Sequence, residues 1–442
     1  MTTLTSLYAE HLSSRLDIIE QALAATGGSA LLVASGTTRT AFLDDKTYPF
    51  EINPHFKALV PLTNITNSYL LIRPGSRPIM FFHQPDDYWH MPPAEPVGDW
   101  TSHWDIRAIK SADDVHNQLG DTRQVCFLGE DITLADRWGL MKANPVALLA
   151  RLHYERAYKT SYEIACMVEA SRLAARGHHA AKDAFDAGEA EYGIAAAYLQ
   201  AIQMREQDMP YSSIVALNEH CAVLHYQFYD RQPPPEIRSL LIDAGAQYNG
   251  YAADVTRTYA RSSGVFADLV NRMDQEQLAI IDDITPGMNY ADLHERMHHR
   301  LARVLKETGI VDMEPAAMVS TGVTFAFLPH GLGHLLGLQT HDVAGFQQSP
   351  AGDERAAPTA YPALRLTRTI EDRQVFTIEP GLYFIPLLLR ELRAKAEGKH
   401  VNWALVETLA PYGGIRIEDN ILVDAGHTIN LTRDAMRFIS DA

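Results

Sequence analysis

The chain has 442 residues, too many for one ordinary domain and enough for two or three. Its 46% hydrophobic and 21% charged residues are the composition of a soluble globular protein. A formal net charge of −17 argues against a nucleic-acid binder, which would carry a basic face, and no apolar run approaches the roughly 20 residues of a membrane span.

In chain order, residues 6–24 place Leu7, Leu12, Leu16, Ile19 and Leu23 at helical spacing. No basic segment followed by an apolar run precedes them, so no signal peptide is expected. The runs ALLVASG, PIMFFHQ and VCFLGE read as strands, and SADDVHNQLG as an intervening helix. Residues 1–155 are therefore expected to form an α/β domain. Cys126, Cys166 and Cys221 lie far apart, with neither a CxxC pair nor zinc-finger spacing. That fits free thiols in a reducing compartment, and the expectation is a cytoplasmic protein.

From Thr160 the pattern becomes helix-rich, opened by a Thr160/Glu163 capping box. A second helix follows the break at Gly188. Two more are expected over 266–284 and 290–308, divided by Pro286 and Gly287. The strands SSIVALN, SLLIDAGA, GYAADVTRTYA, VFTIEPGLYFI and GIRIEDNILV fall between and after them. Residues 156–442 thus read as an α+β domain with mostly antiparallel strands. The Pro233-Pro234-Pro235 run is a rigid loop. Residues 347–373 form a long, proline-containing loop of the kind that is often functional.

Acids interrupt these apolar strands. Asp243 ends LLID, Asp254 follows Tyr251, Ala252 and Ala253, Glu379 follows VFTI, and Glu418 follows Ile417. HGLGHLLG adds His330 and His334. Each has an ordinary reading by itself: a turn residue, an ion pair with Arg416, a core histidine. Together they need a cation, because a buried carboxylate without a partner is costly and neighbouring carboxylates repel. Four carboxylates and one imidazole (Asp243, Asp254, Glu379, Glu418 and His334) make a hard, oxygen-rich donor set. It suits Mn²⁺ first, with Co²⁺, Fe²⁺ or Zn²⁺ as alternatives, and does not suit a structural zinc site. So many carboxylates exceed the need of one ion, and a pair of ions with bridging carboxylates, able to activate a water, is expected.

The motifs LIDAG, DVTRT, HGLGH, TIEPG and IRIED, in this order, resemble the ligand signature of the pita-bread metallopeptidases. That fold family covers creatinase and the aminopeptidases. The stretches NEHCAVLHY, LPHGLGHLLGLQTHDV, YPALRLTRTIEDRQVFTIEPGLYFIPLLL and GGIRIEDN resemble most its bacterial Xaa-Pro dipeptidase (prolidase) branch, which includes organophosphorus acid anhydrolases. The resemblance implies a creatinase/prolidase-like N-terminal domain over 1–155. It implies an α+β pita-bread catalytic domain over 156–442. It further implies that Asp243 chelates one ion, His334 the other, that Asp254 and Glu418 bridge them, and that Glu379 completes the second site and acts as acid/base.

By the same resemblance His225 lies near the scissile carbonyl, His341 holds the substrate or its tetrahedral intermediate, and His330 lines the pocket. The resemblance also implies that Arg416 receives the C-terminal carboxylate of a dipeptide, and period-two alternation supports this by putting it on the strand face of Glu418. Tyr211, Tyr290 and Leu364 resemble lining residues of a small pocket. Trp89 and Asp44 resemble N-terminal-domain residues that reach an active site, in a homodimer the partner's. The activity implied is hydrolysis of Xaa-Pro dipeptides, with organophosphate triester hydrolysis as a side activity. An aminopeptidase P acting on longer peptides and a non-catalytic binding module are the alternatives. No nucleic-acid or membrane partner is expected.

Overall fold

The computed structural model describes residues 4–440. The chain divides into two compact units. The first runs to Cys166 and takes in Asn249–Tyr251 and Ser349–Asp353, and the second holds the remainder. The first unit thus extends past residue 155. The reason is local: Glu163, in the first turn of the helix Ser161–Ala187, is buried and ion-paired with Arg15.

The first unit is built on a mixed six-stranded sheet. Its strands are β1 (Ala30–Ala34), β2 (Tyr69–Ile72), β3 (Ile79–His83), β4 (Asp105–Ile109), β5 (Val125–Leu128) and β6 (Lys142–Ala143), in the order β4-β3-β2-β1-β5-β6. Central β1 is buried along its whole length and pairs antiparallel with β2 and parallel with β5. Strands β2, β4 and β6 are additions to the sequence expectation. The helix Leu4–Thr26 buries Tyr8, Leu12, Ile19 and Leu23, as its periodicity predicts, and also His11 and Arg15. His11 is satisfied by Ala58 O at 2.8 Å and Thr160 Oγ1 at 2.9 Å, and Arg15 by Glu163. The capping box opens the long helix as expected: Thr160 N donates to Glu163 Oε2 (2.7 Å) and Glu163 N to Thr160 Oγ1 (3.3 Å).

The second unit has the α+β pita-bread arrangement. The helices Glu191–Ile202, Val265–Asp282 and Tyr290–Glu307 flank short antiparallel strands. Strands β7 (Ile214–Leu217), β8 (Ser239–Asp243) and β11 (Thr256–Ala260) form one sheet in the order β11-β8-β7. β12 (Val375–Ile378), β15 (Asp419–Asp424) and β16 (His427–Asn430) form another, and β13 (Gly381–Tyr383) pairs with β14 (Gly414–Arg416). The hairpin of β9 (Ala246–Tyr248) and β10 (Tyr251–Ala253) turns on Asn249 and Gly250. Both have positive φ, 50° and 85°, the conformation a two-residue hairpin turn requires.

Candidate metal centre and its pocket

The acids singled out in the sequence stand where strands end or change sheet. Asp243 is the last residue of β8. Asp254 lies in the break between β10 and β11, Glu379 between β12 and β13, and Glu418 between β14 and β15. At such a break the backbone leaves one ladder before entering the next, so a side chain is turned into the space between sheets. Thr256 pairs with Asp243 across β11 and β8 and forms an isolated bridge with Glu418, which ties two of these breaks together.

His334 arrives from a loop that runs beside β12. Thr377 N donates to His334 O (2.9 Å), and His334 N donates to Thr377 Oγ1 (3.1 Å). Gly333 makes this approach feasible, because a Cβ there would stand 2.1 Å from Thr377 O and 2.3 Å from the Tyr290 hydroxyl. The glycines of HGLGH thus serve close backbone packing.

The five groups converge. His334 Nε2 lies 3.4 Å from Asp254 Oδ2, 3.7 Å from Glu379 Oε1 and 3.9 Å from Glu418 Oε1. Its Nδ1 sits 3.0 Å from Leu335 O, an acceptor only, so Nδ1 carries a proton and Nε2 is the ring atom that faces the carboxylates. Burial lowers the ring's pKa, but Asp254 and Glu379 outweigh it and raise the ring above its ordinary range. Donor atoms of Asp254, His334 and Glu418 all lie within 4.8 Å of one another. Asp243 Oδ2 accepts from Arg416 Nη2 at 2.8 Å, while its buried Oδ1 has no partner among the described residues. Asp254 Oδ1 accepts from the Tyr211 hydroxyl (2.6 Å) and Glu418 Oε2 from Thr256 Oγ1 (2.7 Å).

The electrostatics fit a cationic occupant. Burial raises Asp243, with Arg416 opposing and Asp254 adding to the rise. Burial, then the charges of Asp254, Glu379 and Asp243, lifts Glu418 well above the usual carboxylate range. Glu379 is pushed up to about 7 by burial, with His334 opposing. Arg416 offers one positive charge against four acids, so the set stays underneutralised until divalent ions supply the rest. The orphaned Oδ1 of Asp243 and Nε2 of His334 are further atoms that could ligate a cation.

All five groups line a cavity of about 270 Å³, together with His225, His330, His341 and Arg416. Burial holds His330 down near 3 and His341 near 4, so both rings are neutral at pH 7. His330 Nδ1 donates to Gly331 O (2.8 Å), which leaves Nε2 to accept from the Tyr383 hydroxyl at 2.9 Å. Arg416 Nη1 in turn donates to that hydroxyl (2.9 Å). The guanidinium expected to meet substrate is thus buried and also bound to Asp243 and Tyr383.

The remaining candidates fall elsewhere. Tyr290 is fully buried and donates its hydroxyl to Thr377 O (2.7 Å). Leu364 is buried and lines a small recess with His294, His298 and His330. Asp44 and Trp89 lie on loops of the first unit, both exposed. Three contributors escaped the sequence reading. Exposed Arg365 lines the cavity, and Thr256 and Tyr383 hold its charged groups. A threonine in a strand and one arginine among several in a loop give no signal of their own.

An α/β unit followed by a pita-bread unit with this donor set defines a two-domain metallohydrolase. Comparison with known proteins narrows the class. Residues 6–154 match the model of the Xaa-Pro dipeptidase N-terminal domain, and residues 165–425 that of metallopeptidase family M24. The chain is 48% identical over 439 residues to an Xaa-Pro dipeptidase of Pectobacterium atrosepticum, covering 98% of this chain and 99% of that one. It is 46% identical over 438 residues to one of Aeromonas hydrophila, covering 98% and 100%. In fold it is similar to proline aminopeptidase P II from Yersinia pestis, with a TM-score of 0.71, 22% identity and coverage of 98% and 99%. Zn-substituted Escherichia coli aminopeptidase P in complex with product gives a TM-score of 0.70, 20% identity and coverage of 98% of each chain. The chain belongs to metallopeptidase family M24, with the N-terminal domain of the Xaa-Pro dipeptidases. It is accordingly a hydrolase of the metallopeptidase class.

Proposed function

We propose that this chain hydrolyses Xaa-Pro dipeptides, with Asp243, Asp254, His334, Glu379 and Glu418 holding two divalent ions, Mn²⁺ first among them. The observation that carries the reading is the convergence of four carboxylates and His334 on one cavity of about 270 Å³ that two arginines also line. Near-full-length similarity to Xaa-Pro dipeptidases gives the substrate class. When bound, such ions neutralise the acids, lower the pKa of a water and polarise the scissile carbonyl.

The chain's own residues do the rest. Asp254 is oriented by Tyr211, Glu418 by Thr256 and Asp243 by Arg416, and with His334 and Glu379 these acids would hold the ions. Glu379 takes a proton from water and returns it to the proline nitrogen, which has no proton of its own. His225 and His341 donate hydrogen bonds to the oxygen of the carbonyl under attack. Arg416, with Arg365 beside it, supplies the positive charge that favours a free C-terminal carboxylate. Phe42, Leu43, Tyr88, Trp89 and Met91 are large apolar residues left exposed on the first unit, which supports a homodimer in which Asp44 and Trp89 meet a partner.

The test is turnover of Xaa-Pro dipeptides and tripeptides after chelation, with Mn²⁺, Co²⁺, Fe²⁺ or Zn²⁺ restored in turn. Metal-dependent cleavage of dipeptides, faster than of tripeptides, is expected. Preference for tripeptides would make the chain an aminopeptidase P, and no cleavage with any ion would end the enzymatic reading. A phosphotriester assayed alongside reports the side activity, since its tetrahedral phosphorus meets the same nucleophile.

A further inference from the structure

We propose that Glu191 is a positioning residue: its carboxylate holds the segment 217–230 so that Leu224 and His225 face the metal-binding cavity. The proposal rests on the reading of that cavity given above.

Glu191 is the first residue of the helix Glu191–Ile202 and is 1% exposed. A buried carboxylate persists only where hydrogen bonds replace the lost water. Glu191 has four. Oε1 accepts from Leu217 N (2.8 Å) and lies 2.8 Å from His220 Nδ1. Oε2 accepts from the Tyr226 hydroxyl (2.8 Å) and Asp230 N (2.7 Å). All four partners belong to one segment, whose only regular structure after β7 is the 3₁₀ turn Asn218–Ala222. The His220 and Tyr226 rings stack within it, centroids 4.4 Å apart at 22°. The segment is folded around one side chain of a different element.

What it carries is part of the pocket. Leu224 and His225 line the cavity, and His225 is exposed while the next residue, Tyr226, is buried and tied to Glu191. The anchors at His220 and Tyr226 therefore bracket the two residues that face substrate. Asn218 fixes the entry. With φ at 56° it accepts from Arg238 N (2.7 Å) and donates to Glu236 O (2.7 Å), just before the strand that ends in Asp243. Glu191, His220 and Asp230 also cluster as a metal site would. Both Glu191 oxygens are already taken by two donors each, so no lone pair is left for a cation.

Glu191→Gln keeps the shape and puts an NH₂ group against two donors. The test is a double-mutant cycle of E191Q with His225→Ala on an Xaa-Pro dipeptide, with metal content and amide hydrogen exchange over 217–230 measured for each protein. E191Q is expected to lower kcat roughly 10- to 100-fold, as misplacement of an active-site group does, with metal content unchanged. Exchange at the Leu217 and Asp230 amides is expected to quicken, and E191Q to cost little more once His225 is gone. Tyr226→Phe removes one donor, gives a smaller fall, and carries the same cycle if E191Q does not fold. An equal factor in both backgrounds, or wild-type kcat in E191Q and Y226F, overturns the proposal. If the wild type cleaves no Xaa-Pro dipeptide, the functional reading fails by itself. Unchanged exchange over the segment then separately overturns the anchoring.

Discussion

Glu418, just before β15, and Asp419, its first residue, are consecutive and 2% and 0% exposed. Strand alternation turns them to opposite sides, and the two sides treat charge in opposite ways. On Asp419's side burial is outweighed by Arg257 and Arg433, which hold the carboxyl well below its usual range. Its oxygens accept from Arg257 Nη2 and Arg433 Nε at 2.7 Å and from Asn430 Nδ2 at 2.8 Å. On Glu418's side burial is reinforced by Asp254, Glu379 and Asp243, and one threonine hydroxyl is the neutral answer. A fold that supplies two arginines to one acid leaves its neighbour among like charges. Asp419 is a finished structural ion pair. Glu418 belongs to a set that, on the proposed reading, a cation completes.

The largest expected effect comes from converting Glu418 to the neutral case. Glu418→Gln removes one carboxylate oxygen of the proposed donor set and should cut dipeptide turnover on the order of 10⁴-fold, about 5 kcal/mol, with metal content reduced in elemental analysis. In chelator the sign should reverse. A carboxylate raised in the folded state binds its proton more tightly there than in the unfolded chain. Metal-free wild type therefore loses stability as pH rises above the ordinary 4.5. Glutamine does not titrate, so chelated E418Q should be the more stable protein at pH 8, by about 1–3 kcal/mol in urea. If it is less stable in chelator too, Glu418 is a structural acid and the contrast with Asp419 is wrong.

Asp419→Asn tests the other side. It leaves Arg257 and Arg433 buried with an amide, and a broken buried pair costs about 3–5 kcal/mol. The loss should be the same with and without metal. The linkage runs opposite to that of Glu418. A depressed carboxylate contributes its full stability above the ordinary 3.8 and loses it as pH falls below that. Wild type should thus lose stability on acidification in this window and D419N should lose less, measured by urea midpoints between pH 5 and 3. Metal-dependent destabilisation by D419N would merge the two sides into one network.

The contrast also marks what the sequence could carry. Carboxylates that follow apolar runs stand out against their neighbours, and that is why Asp243, Asp254, Glu379 and Glu418 were visible without coordinates. Helix periodicity located the helix Leu4–Thr26 but not the burial of His11 and Arg15, because their partners Thr160 and Glu163 lie far along the chain. Arg416 was placed on the cavity side by alternation, and it does line the cavity. Its hydrogen bonds to Asp243 and Tyr383 depend on pairings across separate sheets that no local pattern encodes. Glu191 looks like an acid that complements a helix N-terminus, and only the path of the segment 217–230 gives it a second task.

The smallest effect should come from Thr256, which stands between the two acids of the comparison's open side. It pairs with Asp243 in the β11–β8 ladder, donates to Glu418 Oε2 and accepts from Arg416 Nε at 3.3 Å. Its hydroxyl therefore orients Glu418 and the arginine that holds Asp243. Thr256→Val keeps the shape and the β-branched backbone preference but removes both bonds. Outer partners of this kind are worth about 10-fold in metal affinity, ~1.4 kcal/mol, so titration of the apo protein should show weaker binding by that factor. With saturating metal kcat should return close to wild type, because Arg416 keeps its bonds to Asp243 and Tyr383, and Thr256→Ser should restore both bonds and the affinity. Unchanged affinity in T256V would mean that the cations alone fix the geometry of Glu418, and that its side of β15 needs no support from the protein.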